Sequence, residues 1–439
     1  MVKFLLWKAM KGYVMNDILK IIDKTSIDEI KMLNNTNPYA KEEFISDDRL
    51  NKPCNVYDDL DIGQVENNIK KIVKAVNEVD HKTFEGSLLS QLLFNNLHKN
   101  ELVRMCYEYN HGKKDEDIIY RMIMHNRTIY GELDRDEFRK ILSYTYNKID
   151  VQSLNAKEQK EFERLNELLP YIPKCKDKPY QPSKRVLERF SQMCEIFLSD
   201  ILSHVPKKDK YTVNEVCDII NEIFDEELSG YGWSAKIREH AGYASVSQED
   251  KIFYVPGKRS KGDYDYESIR ALIAHEIGVH VLRSIPYQKC NIKDMSLGMP
   301  DYLSFEEGLA RAVEQAILKE YNPSGYVHYI SLGLGLFYGY DFRRVYEIQW
   351  RLQGLSKNGN KQQCFDSVQR AFRGTGEVVQ LKDIAYFNGS LRAYKYITRN
   401  LNSDTLFDDL FLSGKINTFS KYWRDTAYEI KVGNKLLNI

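Results

Sequence analysis

The sequence lacks the features that tie a chain to nucleic acid or to a membrane. Its 439 residues carry 63 basic and 63 acidic side chains, so the formal net charge is zero and no basic surplus faces a phosphate backbone. The longest apolar run, Tyr329 to Tyr340, is about twelve residues, whereas a transmembrane helix needs roughly 20. Residues 1–8 are too briefly apolar for a signal peptide, and no small-residue cleavage site follows them. We therefore expect a soluble, cytoplasmic protein without a membrane span or a nucleic-acid partner.

Cysteine is sparse and dispersed. Seven cysteines lie between Cys54 and Cys364, and no two of them form a Cys-x-x-Cys pair. The odd number and the wide spacing argue against a disulfide framework. The pattern predicts free thiols in a reducing compartment.

Helical periodicity dominates the first part of the chain, from about residue 16 to residue 167. Apolar side chains recur every three or four positions, as at Ile69, Ile72 and Val76. The stretch 173–183 is rich in proline and lysine and is typical of a linker or loop. We therefore predict an N-terminal helical region at residues 1–172.

After two further predicted helices the pattern changes to short β-type segments. Trp233–Arg238, Ala244–Ser247 and Lys251–Val255 are rich in β-branched or aromatic residues and are separated by turn residues. They predict a small antiparallel meander. A helix from about Tyr266 to Arg283 follows, with an apolar stripe at helical spacing. The fold class expected is mostly helical α+β.

That helix carries the most informative motif, His275-Glu276-Ile277-Gly278-Val279-His280. A further carboxylate, Glu307, follows 27 residues after His280 on another predicted helix. Two imidazoles and a carboxylate are the ligand set of a zinc hydrolase, in which one metal position remains for water and a free glutamate activates that water. The motif predicts zinc ligands at His275, His280 and Glu307, with Glu276 as general base.

The spacing of the two histidines departs from the usual zincin pattern by one residue. On a regular α-helix, residues five apart point roughly 140° away from each other, so the two rings could not share a metal. One π-turn would return them to the same face, and such bulges are frequent at functional sites. Gly278 lies inside the interval, where the absence of a Cβ tolerates distorted backbone. The motif therefore predicts a bulged helix between His275 and His280.

Each of these residues has an alternative interpretation. The histidines could belong to a satisfied buried polar network. Ser304-Phe305-Glu306-Glu307 fits a helix capping box, in which Glu307 folds back to the Ser304 amide. Against that, Gly308-Leu309-Ala310 continues the helix with small residues on one side, which would let this helix approach another closely. Glu307 is preferred to Glu306 as the third ligand.

Glu276 could instead form a salt bridge with Arg270 or Arg283. Farther along, glycines around Arg373 indicate a tight loop whose guanidinium could clamp a carboxylate. Tyr386 could donate to an oxyanion that forms at the metal. A solvated arginine and a packed tyrosine are the alternatives for these two residues.

These motifs resemble the microtubule-associated tyrosine carboxypeptidase family and its bacterial relatives, which carry a Gln-Glu-Gly-Leu-Ala motif. The longer histidine spacing is also found in dipeptidyl peptidase III, where a Glu-Glu pair likewise supplies the third ligand. The resemblance implies a gluzincin-like catalytic domain, here residues 183–439, and places Lys382 beside Arg373 among the substrate-binding candidates. It rests on the segments His275–His280, Leu282-Arg283, Glu306–Ala310, Arg373-Gly374, Lys382–Gly389, Asn37-Pro38 and Tyr130-Gly131.

The sequence departs from the family in three places. Val279 stands where eukaryotic members have threonine, Glu306 stands where bacterial relatives have glutamine, and Ser284–Lys289 replaces the usual landmarks after the helix. The last of these segments would shape the substrate pocket. The resemblance therefore carries over the metal chemistry but not a specificity for terminal tyrosine.

The function expected is that of a zinc metallocarboxypeptidase that removes the last residue of a protein or peptide tail, with tyrosine or another aromatic residue as a candidate. The alternative is a non-catalytic, metal-containing regulator that binds such a tail without cutting it. An endopeptidase is a third possibility.

Overall fold

The chain folds into two compact units that are built mostly from helices. The structure is a computed structural model and describes residues 17–57, 60–248, 250–257, 264–285, 302–357, 359–412, 414–415 and 417. One small sheet accompanies the helices, which confirms the predicted mostly helical α+β class. The first unit comprises Met1–Pro179 and Gly325–Ile384, and the second comprises Tyr180–Ser324 and Ala385–Ile439.

This division differs from the predicted pair of regions, 1–172 and 183–439, because Gly325–Ile384 belongs to the first unit. Aromatic packing explains the difference. The ring of Phe44 lies 4.9 Å from that of Phe342 and 5.5 Å from that of Phe365. Burying large aromatic rings against each other is strongly favourable. The later segment is therefore part of the N-terminal core.

Polar caps start many helices of the first unit. The side chains of Thr83, Asp115, Asp134 and Asn155 each accept a hydrogen bond from a backbone N–H in the first turn. The longer helices are Ala40–Ser46, Ile62–Glu78, Phe84–Asn110, Glu116–Tyr130, Arg135–Tyr146, Ala156–Leu168, Tyr326–Tyr338, Phe342–Leu355 and Lys361–Ala371. Shorter ones are 17–25, Glu29–Met32, Val151–Ser153 and Leu381–Asp383.

The second unit combines helices with the sheet. Its elements in chain order are α1 (Lys184–Phe197), α2 (Ser199–Ser203), α3 (Val213–Glu226), β1 (Ser234–Arg238), β2 (Ser245–Ser247), β3 (Ile252–Pro256), α4 (Tyr266–His275), a π-helix (Glu276–Val281), a 3₁₀ turn (Leu282–Ser284), α5 (Tyr302–Leu318), α6 (Ile384–Asn400) and a second π-helix (Asp408–Leu412).

The three strands form where the sequence predicts them, but the predicted antiparallel meander is wrong. The strand order is β1-β3-β2, with β1 parallel and β2 antiparallel to β3. β3 takes the centre because Phe253 and Val255 are fully buried, while β2 is short and half-exposed. Just after β2, Gln248 donates a 3.0 Å hydrogen bond to the backbone carbonyl of His280. The edge of the mixed sheet is thereby fastened to the motif-bearing helix.

α4 and α5 pack against each other in the core of this unit, and α5 also meets α6 at two glycines. A Cβ built on Gly308 would lie 1.9 Å from the carbonyl carbon of Gly389. A Cβ on Gly389 would lie 1.8 Å from the carbonyl oxygen of Ser304. The backbones touch, so only glycine fits at either position. This confirms the predicted close approach of the helix that carries Glu307.

Two expectations from composition can also be compared with the structure. The described cysteines, Cys54, Cys106, Cys175, Cys194, Cys217 and Cys364, are all free thiols. Within the ranges that the structure describes, no helix combines the length and the apolar character needed to cross a bilayer.

Candidate metal centre

The predicted bulge in the motif-bearing helix is confirmed. α4 ends at His275, and Glu276–Val281 continues it as a π-helix. The wider π-turn takes up the additional residue between the histidines. Their rings consequently lie on one face, with centroids 5.3 Å apart.

Packing, and not the backbone conformation, constrains Gly278. The φ of Gly278 is not positive, so its backbone conformation does not by itself require glycine. A Cβ at this position would lie 3.2 Å and 3.3 Å from the two Cδ atoms of Leu198. The structural constraint on Gly278 is therefore the closeness of Leu198 to the π-helix.

Glu307 on α5 joins the two histidines. Each of His275, His280 and Glu307 offers a ligand atom, and these atoms lie within 4.8 Å of one another. α5 begins at Tyr302, so Ser304 lies inside the helix and not at its N-cap. The capping-box interpretation of Glu307 is therefore wrong.

Both imidazoles are oriented by carboxylates on α5. With the proton on Nδ1, His280 donates to Glu306 Oε1 at 3.0 Å and His275 donates to Glu314 Oε2 at 3.0 Å. Carboxylate partners of this kind fix the tautomer and the ring direction of metal-binding histidines. The Nε2 atom of each ring remains as the ligand atom.

Glu306 belongs to a buried ionic network. Its side chain accepts from Arg283 Nε at 3.3 Å, and Arg283 also donates to the carbonyl of Leu410 on the second π-helix. Glu306, Arg283 and Lys415 are 2%, 0% and 3% exposed. Burial raises the pKa of Glu306, but the charge of Lys415 and the contacts with His280 and Arg283 outweigh it and bring the pKa to about 2. Glu306 is therefore an interior anion.

Glu314 lies on the cavity side of the site. Arg311 Nη1 donates to Glu314 Oε2 at 2.6 Å, and this carboxylate also receives the bond from His275. Burial raises the pKa of Glu314, but the hydrogen bond from His275 and the charge of Arg311 outweigh burial. The pKa of Glu314 is therefore below its ordinary value. Glu314 and His275 both line a cavity of about 580 Å³.

Glu276 lies beside this site. Among the residues that the structure describes, none forms a hydrogen bond or an ion pair with its carboxylate. Arg270 pairs with Glu195, and Arg283 pairs with Glu306. The salt-bridge alternative for Glu276 is therefore not seen, and its side chain lines the same cavity as His275.

The charges around His280 favour a cation. Burial lowers the pKa of His280, but the hydrogen bond to Glu306 and the charges of Glu307, Glu306 and Glu276 raise it to about 9. A divalent ion at this point would be stabilised by the same carboxylates. Two imidazole nitrogens and one carboxylate, with no competing partner for Glu307 among the described residues, match the donor set of a catalytic zinc site. The residues present therefore fit the metal.

A second histidine–carboxylate group is formed by the residue that follows α2 and by α3. His204, Glu222 and Glu226 also hold their ligand atoms within 4.8 Å of one another. Both nitrogens of His204 are already hydrogen-bonded, Nδ1 to Glu222 and Nε2 to Glu227. The geometry is that of a surface ion-pair cluster.

The remaining predicted site residues fall in different units. Tyr386 is half-buried in the first turn of α6, three residues before Gly389, where α6 touches α5 close to Glu307. Arg373 and Lys382 lie in the first unit. Arg373 lines a cavity of about 270 Å³ there, and Gly374, with φ of +88°, confirms the predicted tight loop.

The sequence analysis missed three residues of the site: Arg311, Glu314 and Lys415. Helical spacing could have indicated the first two, because positions four and seven after Glu307 lie on its face of α5. Lys415 has no such signal, since it follows a separate helix much later in the chain.

The chain was compared with curated proteins and with models of protein families. A search of curated proteins found no match. A model of the family described as microtubule-associated tyrosine carboxypeptidase matches residues 132–421, which is well over half of the chain and includes every predicted site residue. The match indicates a peptidase that acts on a protein substrate. The chain therefore belongs to the microtubule-associated tyrosine carboxypeptidase family.

Proposed function

We propose that the protein is a zinc-dependent carboxypeptidase that hydrolyses the last peptide bond of a protein or peptide tail. The observation that carries the proposal is the π-helix, which brings His275 and His280 together with Glu307. Glu276 lies beside them with no partner among the described residues. The family description names tyrosine, so tyrosine or another aromatic residue is the first C-terminal residue to test.

Each site residue has a separate role in this proposal. His275, His280 and Glu307 would hold the zinc, which, when bound, polarises the scissile carbonyl and acidifies water. Glu276 accepts a proton from the attacking water and passes it to the leaving amine. Tyr386 would donate a hydrogen bond to the carbonyl oxygen as its negative charge grows.

Recognition of the substrate's terminal carboxylate needs a cation. The sequence offers Arg373 and Lys382 as candidates for this cation. A bidentate guanidinium–carboxylate pair would make the enzyme select a free C-terminus.

The test is to incubate zinc-loaded protein with peptides of varied C-terminal residue and to weigh the products. A loss of one terminal residue supports the proposal. Internal cuts would indicate an endopeptidase, and binding without any cut would indicate a regulator. Glu276→Gln should keep its zinc while turnover falls about 10²–10⁴-fold, as expected for a lost general base.

A matched control is available on the same helix. Glu267 lies on α4 with its side chain 58% exposed and is outside the set of residues that line the cavity. Glu267→Gln should retain activity. A zinc-loaded Glu276→Gln protein with normal turnover would contradict the assigned base.

A further inference from the structure

The cavity beside the candidate metal centre has three walls formed by parts of the second unit. One wall is a face of α4 and the start of the π-helix, another is a face of α5, and the third is the connection between β1 and β2. The lining residues on these walls include Ser268, Leu272 and Glu276, then Arg311 and Leu318, then Tyr243. Because His275 and Glu276 lie at one side of this space, a peptide bond held at the metal would place the next residue inside it.

Part of the cavity surface suits an apolar side chain. Tyr243, Tyr264, Leu272 and Leu318 contribute rings and aliphatic groups. A carboxylate that enters such a space loses water and needs a cationic partner. Of the described lining residues, Arg311 is the one arginine or lysine.

Arg311 is free to take a second partner. Its Nη1 donates to Glu314, and among the described residues this is its one hydrogen bond. Its side chain is 28% exposed. The guanidinium has five donors in a fixed fork, so the edge that faces away from Glu314 can bind a carboxylate through two parallel bonds.

The spacing from the metal residues fits the removal of one residue. Arg311 follows Glu307 by four positions, so the two lie on one face of α5, about 6 Å apart along the helix axis. An extended peptide advances about 3.5 Å per residue. A terminal carboxylate one residue beyond the scissile bond therefore lies within reach of the long arginine side chain.

We infer that Arg311 binds the C-terminal carboxylate of the substrate and makes the enzyme an exopeptidase. The inference rests on the proposed function. It moves this role from Arg373 and Lys382, which lie in the first unit, to a residue on the same helix as the third metal ligand.

Binding can be measured without turnover. The probe is acetyl-Ala-Ala-Ala-Tyr, as the free acid and as the amide, titrated calorimetrically into zinc-loaded Glu276→Gln protein. We expect the acid to bind more tightly than the amide. Adding Arg311→Gln should weaken binding of the acid about 10–100-fold and leave the amide nearly unchanged, because only the charge-assisted pair is lost.

Control variants separate recognition from support of the metal site. Arg189→Gln removes one positive charge from an exposed position on α1, outside the set of lining residues, and should leave the preference for the acid intact. Arg311→Lys keeps the charge next to Glu314 and should restore part of the preference. Zinc content is measured in each variant, since Glu314 also holds His275.

In the active enzyme, Arg311→Gln should raise KM for the acid with a nearly unchanged kcat, the sign of lost uniform binding. A zinc-loaded Arg311→Gln protein that still prefers the acid would overturn the inference, as would loss of the preference in Arg373→Gln but not in Arg311→Gln. Failure of the proposed function is a different result: wild-type protein that shortens no peptide, whatever its binding preference.

Discussion

The two histidines of the candidate site are held by the same chemistry in opposite surroundings. His280 donates to Glu306, which is buried with Arg283 and Lys415 in the interior of the unit. His275 donates to Glu314, which pairs with the partly exposed Arg311 at the wall of a cavity. One helix, α5, supplies both carboxylates as well as Glu307.

The difference teaches how a single helix can both stabilise a site and open it to a ligand. Arg283 and Lys415, the cations beside the interior carboxylate Glu306, are almost fully buried, so removal of Glu306 leaves their charges uncompensated. The cavity-side carboxylate, Glu314, pairs with the partly exposed Arg311, so its removal should lower the free energy of unfolding by less. A ligand in the cavity can also reach Arg311. Glu306, the interior support, should therefore dominate stability. Glu314, the cavity-side support, should dominate metal and substrate binding.

Glu306→Gln should break the interior support and have the largest effect on stability. It leaves Arg283 and Lys415 buried without their anion, so the free energy of unfolding should fall by about 3–5 kcal/mol. Urea unfolding of the metal-free protein measures this. Glu320→Gln, at an exposed position just after α5, is the control and should change little. Equal stability of the two variants would show that the interior network contributes nothing.

Gly308→Ala should disturb both supports together by moving α5. The added Cβ would lie 1.9 Å from the Gly389 carbonyl carbon, so one helix must shift. We expect a loss of about 3 kcal/mol, at the upper end of the range for overpacking, together with weaker zinc binding. Gly354→Ala, in a helix where the new Cβ meets nothing within 4 Å, should be neutral or slightly stabilising. Normal stability of Gly308→Ala would refute the close backbone contact.

Glu314→Gln should break the cavity-side support with a smaller effect on folding. The free energy of unfolding should fall by only about 1 kcal/mol, as for one hydrogen bond at a partly exposed site. Zinc affinity, measured by competition with a chelator, should fall about 10–100-fold because the His275 ring loses its orienting partner. An unchanged zinc affinity would mean that Glu314 does not position His275.

Acid pH should reduce the contribution of Glu306 to the free energy of unfolding. The folded pKa of Glu306 is about 2, below its ordinary value of 4.5, so its contribution to stability is present above about pH 4.5 and is lost as the pH falls through about 2. His280, with a pKa of about 9, stays protonated over this window in metal-free protein. The stability of wild type relative to Glu306→Gln should therefore decrease with acid. A constant difference in urea unfolding from about pH 6 to pH 3 would contradict the buried anion.

Local patterns predicted much of the site. Five-residue spacing is incompatible with a regular helical face, so His275 and His280 implied a π-turn, and the structure has it. The small residues after Glu307 implied a close helix contact, and Gly308 meets Gly389. In both cases the sequence signal lies within a few residues of the chain.

Long-range features escaped prediction because they depend on pairing between distant segments. The strands were located by their composition, but nothing in Ser234–Arg238 or Ser245–Ser247 shows that β3 would lie between them. Lys415 interacts with Glu306 although it follows α6 and the second π-helix, much later in the chain. Likewise, the packing of Phe342 on Phe44 joins parts of the chain about 300 residues apart.

The most direct test of the account is the zinc content of purified wild type, His280→Ala and Glu307→Ala, measured by inductively coupled plasma mass spectrometry. We predict about one zinc per chain in wild type and its loss in both variants. No zinc in wild type after zinc has been supplied would contradict the account. His275 and His280 would then be members of a hydrogen-bonded core network with Glu314 and Glu306.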